Sequence, residues 1–414
     1  MTASRIMFYC LVSAVMILGD AIWWRLADRR LRPLRHARLW RGLLGAWVGA
    51  MACYLILIAA APALVRRSDT PIPVSFHAAV FLWHLLVLPA LIALELTQRT
   101  VSLSGRAVLA ALRPPSRPVP VTVSSEGYPS RRQFLGGAVM ALPPLVTGGL
   151  TSRALRQMNE PPRIRRLEIP LAQLPPHMDG MTIAHVTDIH VGKFTRPGSL
   201  NALADQVNLL RSDFVVVTGD LIDMSLSDLP AALDMLDRID PRQGIIVCEG
   251  NHDLYESRHR FEHGTRAAGL PLLVDQACDI QFRGSPVQFL GLRWEEGKDE
   301  RIADNFETLV PMIRPDAFPI LLAHHPHAYE EAARQDMPLT LSGHTHGGQL
   351  MVTKEFGAGS MIFRYWSGLY TKPRGWPAGN GSQLVVSNGI GNWFPLRINA
   401  PAEIVHLTLH RAMA

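Results

Sequence analysis

The apolar positions follow one pattern up to about residue 160 and another beyond it. In the first part they run together in long blocks: Ile6 to Trp24, Gly42 to Val65, Ile72 to Leu94 and Phe134 to Thr151. A helix needs about 20 largely apolar residues to cross a bilayer, so the blocks predict an all-α membrane region of about four spans. The fourth block is shorter, rich in glycine and broken by Pro143 and Pro144. Asp20, His77 and His84 are the ionisable residues inside the blocks. Such groups are candidates for function. His77 and His84 lie seven apart on one helix face, but no matching histidine pair stands in the other blocks, so they are read as packing or interfacial groups.

From Pro161 onward, short apolar runs alternate with amphipathic stretches. The runs MTIAHV, DFVVVT, GIIVCE, FPILLA and MPLTLS have the length and composition of buried strands. Helical periodicity covers Ser199–Leu210 and Leu226–Ile239 between the first three. Strand–helix–strand order implies a mostly parallel sheet, and ligands gather beyond the carboxyl ends of such strands.

Charge sharpens the division. The whole chain carries +6, yet residues 1–133 hold 16 arginines, no lysine and five acids, so the remainder is net negative. A basic N-terminal third and an acidic body exclude a nucleic-acid-binding body and fit membrane loops rich in arginine. Seven arginines separate the first two blocks, two separate the second and third, and six separate the third and fourth. The positive-inside rule then makes the two arginine-rich loops cytoplasmic and sends everything after about residue 152 to the far side. Residues 1–98 are therefore expected to form three spans, 99–133 a Pro/Ser/Arg-rich cytoplasmic linker, 134–152 the fourth span, and 160–414 the catalytic body. The entry to the fourth span, SRRQFLGG, resembles a twin-arginine export signal around Ser130, Arg131 and Arg132, although arginines that simply flank a membrane helix give the same pattern. Four cysteines are too few for a disulfide framework, and Cys248 in a strand-like run reads as a buried thiol.

Each of the five strand-like runs leads into residues that ligate metals. After the first come Asp188 and His190; after the second, Asp220 and Asp223; after the third, Asn251, His252 and Asp253; after the fourth, His324 and His325; after the fifth, His344 and His346. Carboxylate and imidazole donors suit Mn, Fe or Zn, and the lack of cysteine argues against a structural zinc site. The motifs D-x-H, GD-x-x-D, GNHD, a lone histidine and GH-x-H stand in order, and in this the chain resembles the calcineurin-like metallophosphoesterases, in particular the bacterial YkuE-type branch.

The resemblance implies an α/β four-layer sandwich, two β-sheets flanked by helices, and two divalent metal ions. It assigns Asp188, His190 and His346 to one metal, and Asn251, His324 and His344 to the other, with Asp220 bridging. It gives His252 the protonation of the leaving group, with Asp253 orienting His252, and a metal-bridging hydroxide as nucleophile. His325 and His327 are read as loop residues, His185 as a hydrogen-bonded core residue, and Arg397 as a surface group or a phosphate contact. The expected activity is hydrolysis of a phosphomonoester or phosphodiester by an enzyme in a bacterial cytoplasmic membrane, catalytic side outward. Tethering at the surface favours a phospholipid or lipid-linked phosphate. Soluble nucleotide or sugar phosphates are the first rival, and a transport or sensor membrane region with an accessory phosphoesterase is the second.

Overall fold

The computed structural model describes residues 3–34, 36–61, 65, 71–112, 131–195, 197–295, 299–353, 355–373 and 381–412. Ser130, Arg35, Arg66, Arg67 and residues 113–130 of the expected linker lie outside them. The chain divides into two compact units that meet in sequence at Arg153 and Ala154.

The first unit is helical. Its helices are Ala3–Leu31, Ala37–Ala60, a third that runs from Val74–Leu82 through a π-turn at Trp83–Val87 into Leu88–Leu112, and Arg131–Asn159, which continues into the second unit. Among the described residues three helices are long and apolar enough to cross a membrane: Cys10–Leu31, Ala37–Ala60 and Val74–Gly105. The fourth expected span is helical, within Arg131–Asn159, and is not among these three. The expected linker is also shorter at its start, because helix persists through residues 99–112.

Trp23, Met51, Trp83 and Leu88 are buried in the core of this bundle. Asp20 and His84 are both buried there, with Asp20 Oδ2 3.0 Å from His84 Nε2. Trp83 Nε1 donates to the other Asp20 oxygen at 2.7 Å, and His84 Nδ1 donates to Val80 O at 2.7 Å. His77 instead pairs with the Tyr54 hydroxyl. A polar group in an apolar bundle must find partners to offset its lost hydration, and these do.

The second unit holds two six-stranded mixed sheets. Its strands are β1 (Arg163–Leu171), β2 (Met181–Val186), β3 (Phe214–Thr218), β4 (Gly244–Cys248), β5 (Leu272–Leu273), β6 (Gln276–Phe282), β7 (Ser285–Gly291), β8 (Phe318–Leu322), β9 (Leu339–Ser342), β10 (Gly368–Lys372), β11 (Ser382–Val386) and β12 (Glu403–Arg411). One sheet runs β1-β12-β2-β3-β4-β5 and the other β10-β11-β9-β8-β7-β6. β2 to β5 are parallel, as are β7, β8, β9 and β11. Both faces of these strands are covered, which is why their sequences are continuous apolar runs rather than alternating ones.

Between the sheets lies an apolar layer that includes Ile183, Phe214, Val216, Ile246, Phe289, Ile320 and Leu341. Outside the first sheet, helices Leu200–Leu209 and Leu229–Asp237 bury Leu203, Val207, Met235 and Leu236. Outside the second, helices Asp299–Leu309 and Ala328–Arg334 bury Phe306 and Ala332. This is the expected four-layer arrangement. The five motif-bearing strands are all present, but they do not share one sheet: β2, β3 and β4 belong to the first, β8 and β9 to the second. The site forms where the carboxyl edges of both sheets meet.

Candidate metal centre

The loops after β2, β3, β4, β8 and β9 converge on one cluster. Asp188 Oδ1 lies 3.1 Å from His346 Nε2, and His346 Nε2 lies 3.0 Å from His190 Nε2. Asp220 Oδ2 lies 3.4 Å from His190 Nε2 on one side and 3.1 Å from His324 Nε2 on the other. His344 Nδ1 contacts Asn251 Oδ1 at 3.0 Å. Asp188, His190 and His346 bring one ligand atom each within 4.8 Å of one another, as do Asp220, His324 and His344. Asp220 stands between the two groups, next to His190 and His324. The seven residues expected as ligands therefore meet as two adjoining sets.

The backbone is strained where it delivers them. Asp188, His190, Asp220, His344 and His346 all have positive φ, between 47° and 71°. Each non-glycine residue there costs about 1 kcal/mol or more, and such strain gathers at functional sites. Gly219 adds a φ of 88°, and a Cβ on it would sit 2.7 Å from Gly250 N and from His324 Nδ1. Gly347 and Gly348 let the chain turn after His346.

Second contacts fix the rings. His324 Nδ1 donates to Thr218 O at 2.7 Å, which leaves its Nε2 for a ligand. That Nε2 is buried and makes no hydrogen bond among the described residues. His252 Nδ1 lies 2.7 Å from Asp223 O and 3.1 Å from Asp223 Oδ1. Because Asp223 O can only accept, His252 carries its Nδ1 proton and presents Nε2. Asp223 Oδ1 also lies 3.5 Å from His190 Nδ1. Asp253 has a different task from the one expected of it. Its two oxygens accept from the backbone amides of Asp220 and Gly250, each at 2.9 Å, and of Ile222 at 3.1 Å. It ties the β3 loop to the β4 loop, and Asp223 is the residue that faces the His252 ring.

The electrostatics call for cations. Burial opposes ionisation of Asp188 and Asp220, but the surrounding imidazoles overcome it and hold both carboxyls well below the usual carboxylate range. Burial likewise opposes charge on His190 and His324, yet the carboxylates push His190 up to about 10 and His324 up to about 9. Protons thus occupy imidazoles where positive charge is wanted. Two carboxylates, four imidazoles and an amide oxygen, with the bare Nε2 of His324 aimed among them, fit two divalent ions.

Other sequence expectations also find their places. His185 is fully buried and bonds Thr218 Oγ1 at 2.8 Å, as read from the sequence. His325 and His327 stack on each other beside the site, their rings 4.5 Å apart. Arg397 is neither a surface group nor placed for a phosphate: it is 0 % exposed. Its guanidinium donates to Asn392 Oδ1 at 2.7 Å and to the carbonyls of Gly391, Ala400 and Asn388 at 2.6, 3.0 and 3.1 Å. Its Nη2 also reaches His346 Nδ1 at 3.2 Å. It holds the NGIGN turn against the Asp188 loop, where Gly391 N donates to Asp188 O at 2.7 Å. Nothing in the local sequence marks Arg397 as buried, and nothing marks Trp294, whose indole lies 4.9 Å from the His344 ring and 5.4 Å from that of His324.

A family profile described as calcineurin-like phosphoesterase matches residues 181–348, the segment that holds every expected ligand. A zebrafish transmembrane protein with metallophosphoesterase domain is 26% identical over 433 residues, covering 99% of this chain and 90% of that protein. A Campylobacter jejuni metallophosphoesterase is 31% identical over 254 residues, which span 60% of this chain and 63% of that protein. The Bacillus subtilis metallophosphoesterase YkuE is 28% identical over 305 residues, with 68% of this chain and 97% of YkuE covered. With the two sheets, the convergent loops and the profile in agreement, the chain carries a calcineurin-like phosphoesterase domain at residues 181–348, that of a metal-dependent phosphoesterase.

Proposed function

We propose that this protein hydrolyses a phosphomonoester or phosphodiester at a membrane surface, with a phospholipid or lipid-linked phosphate as substrate. One observation carries the hydrolytic reading: two adjoining sets of buried carboxylate and imidazole ligands share Asp220. Asp188, His190 and His346 would hold one divalent ion, Asn251, His324 and His344 the other, with Asp220 between. Such a pair supplies Lewis acidity and a water activated near neutral pH.

The chain's own residues do the rest. His252 stands beside the cluster, its ring 4.5 Å from that of His190. With Nδ1–H held by Asp223, its Nε2 is free to pass a proton to the departing alkoxide. Thr218 O and Asp223 keep the rings of His324 and His252 in position, and Asp253 keeps two ligand loops together.

The membrane reading rests on the three apolar helices and on the transmembrane relative. Lipid as substrate gains support from the segment after His346, where Val352, Phe356, Met361 and Ile362 are exposed. Large apolar side chains grouped on a surface suit contact with a bilayer or another apolar partner. The arginine asymmetry supports an outward-facing domain in a bacterial cytoplasmic membrane. Helix Arg131–Asn159, which begins at the arginine pair, would serve as a fourth span or as an export signal read by the twin-arginine machinery.

The test uses full-length protein in detergent, loaded with Mn or Zn. It is offered bis-p-nitrophenyl phosphate, p-nitrophenyl phosphate and a phospholipid panel, with His252→Ala and Asp220→Asn as controls. Metal-dependent turnover lost in both variants supports the site. Turnover of soluble esters with none of any lipid phosphate would sink the lipid reading and favour nucleotide or sugar phosphates.

The buried Asp20–His84 pair, with His84 on a π-turn, favours a second reading, in which the membrane unit transports or senses and the phosphoesterase is accessory. Under it, Asp20→Asn abolishes the cellular function while the purified protein keeps its phosphoesterase activity. An Asp20→Asn protein that functions normally in cells would exclude it.

A further inference from the structure

A cavity of about 320 Å³ opens beside the two ligands His324 and His344. Leu292, Ile302, Ala323 and Ala328 supply apolar walls, and Trp294 and His325 supply rings. The Trp294 indole lies against three imidazoles, with ring centroids 4.9 Å from His344, 5.4 Å from His324 and 5.6 Å from His325.

The loop that carries Trp294 is fixed at both ends of the residue. Trp294 N donates to Glu249 Oε1 at 3.0 Å, and Arg258 Nη2 donates to Trp294 O at 2.9 Å. Arg258 Nη1 in turn donates to the same Glu249 oxygen at 3.0 Å, and the Glu249 side chain is fully buried. A wall built this way is set before any ligand arrives, so little ordering entropy is lost on binding.

The size and chemistry of the cavity restrict its occupant. Small-molecule pockets run from roughly 300 to 1,000 Å³, so this one is at the low end and holds one ring-sized group. Paired acyl chains do not fit within it. Arg293, the arginine at its border, is already engaged: its Nε donates to Asp275 Oδ2 at 3.0 Å and its backbone N to Asp275 Oδ1 at 3.0 Å. With Arg293 engaged and the Glu295 carboxylate also in its lining, the cavity is poorly suited to a second phosphate, and Trp294 suits it to a planar group.

We propose that this cavity is the subsite for one organic substituent of the phosphoester, a compact planar ring, and that Trp294 sets the preference for it. The proposal rests on the phosphoesterase reading above, since the ring is positioned by a phosphorus group held at His324 and His344. Trp294 acts here as a specificity residue and takes no part in proton transfer.

Binding of two stable phosphonates separates this proposal from that reading. Phenylphosphonate and methylphosphonate carry the same anionic head, and only the first carries a ring. Titrated calorimetrically into the full-length, Mn-loaded protein in detergent, phenylphosphonate is expected to bind about tenfold more tightly, equivalent to about 1.4 kcal/mol. Trp294→Ala should remove the difference and leave methylphosphonate affinity unchanged, while Trp294→Phe should restore most of it. Ile302→Trp, which adds bulk at another lining position, should weaken phenylphosphonate alone. Equal affinities in the unmodified protein, or a preference that survives Trp294→Ala, would overturn the subsite while leaving the phosphoesterase reading intact. Failure of methylphosphonate to bind the metal-loaded protein at all would overturn both.

Discussion

Asp223 and Asp253 follow different strands, 30 positions apart, yet both reach the same site with opposite tasks, and substituting each by asparagine separates those tasks. Asp223 Oδ1 is 3.1 Å from His252 Nδ1 and 3.5 Å from His190 Nδ1. Asp223→Asn keeps the backbone oxygen that orients His252 but replaces the carboxylate that faces its Nδ1 with a neutral amide. Partners of this kind typically contribute about 10–100-fold to activity or metal affinity. We expect kcat/KM to fall by that factor at saturating metal, with weaker metal retention through His190, and little change in melting temperature of the loaded protein. Asp253→Asn should do the reverse. Three amide donors converge on two carboxylate oxygens, and asparagine offers one oxygen and an NH2 that faces an N–H. At least one buried donor is then stranded, at about 1–3 kcal/mol, with further loss from the weaker bonds that remain. The expected result is a clear drop in melting temperature with near-normal turnover per folded, loaded molecule. Steady-state kinetics, metal content and thermal melts on the two variants read this directly. If Asp253→Asn destroys turnover while stability holds, and Asp223→Asn is silent, the assignment of Asp223 as the partner of His252 is wrong.

Other outcomes follow from the same geometry. Arg397→Met should destabilise the protein by more than about 3 kcal/mol, because several buried acceptors lose a charged donor at once, and Arg397→Lys should not rescue it; a denaturant midpoint close to that of the parent would refute this. Gly219→Ala should abolish metal binding, measured by metal analysis after gel filtration, since its Cβ has no room beside Gly250 and His324 and its φ is 88°. Without metal, His190 and His324 have pKa values raised to about 10 and about 9, so their charged forms stabilise the fold below the ordinary histidine range. That contribution is lost as pH rises through 9 to 10, so the metal-free melting temperature should fall between about pH 7 and pH 10 while that of the loaded protein does not. Metal binding near pH 7 should release protons, which calorimetry in buffers of different ionisation enthalpy would detect; no release would contradict the charges assigned to these rings.

The sequence by itself determined the two-part organisation, the five motif-bearing strands and the seven carboxylate, amide and imidazole residues that cluster. Those features are local: a buried strand must be a continuous apolar run, a spanning helix must be a long one, and Asp, Asn and His are chemically suited to metals wherever they lie. β2 begins and ends where its run MTIAHV does, and β3, β4, β8 and β9 agree within a residue or two. The fourth apolar block was less informative, because a helix with glycine, proline and terminal arginines has the same local pattern whether or not it enters a membrane.

Tertiary structure decided what depends on partners distant in the chain. That the clustered residues come from two sheets rather than one follows from the packing of Phe214 and Ile246 against Phe289 and Ile320, which no single run encodes. Which aspartate serves His252 depends on how the β3 and β4 loops cross, and adjacency in GNHD pointed to Asp253 when space supplied Asp223. Arg397 reads as a surface residue until four acceptors from residues 388–392 and the carbonyl of Ala400 close around it, since burial of a charge is set by its neighbours and not by its type. The same holds for Asp20 and His84, 64 positions apart, whose pairing exists only once their helices pack.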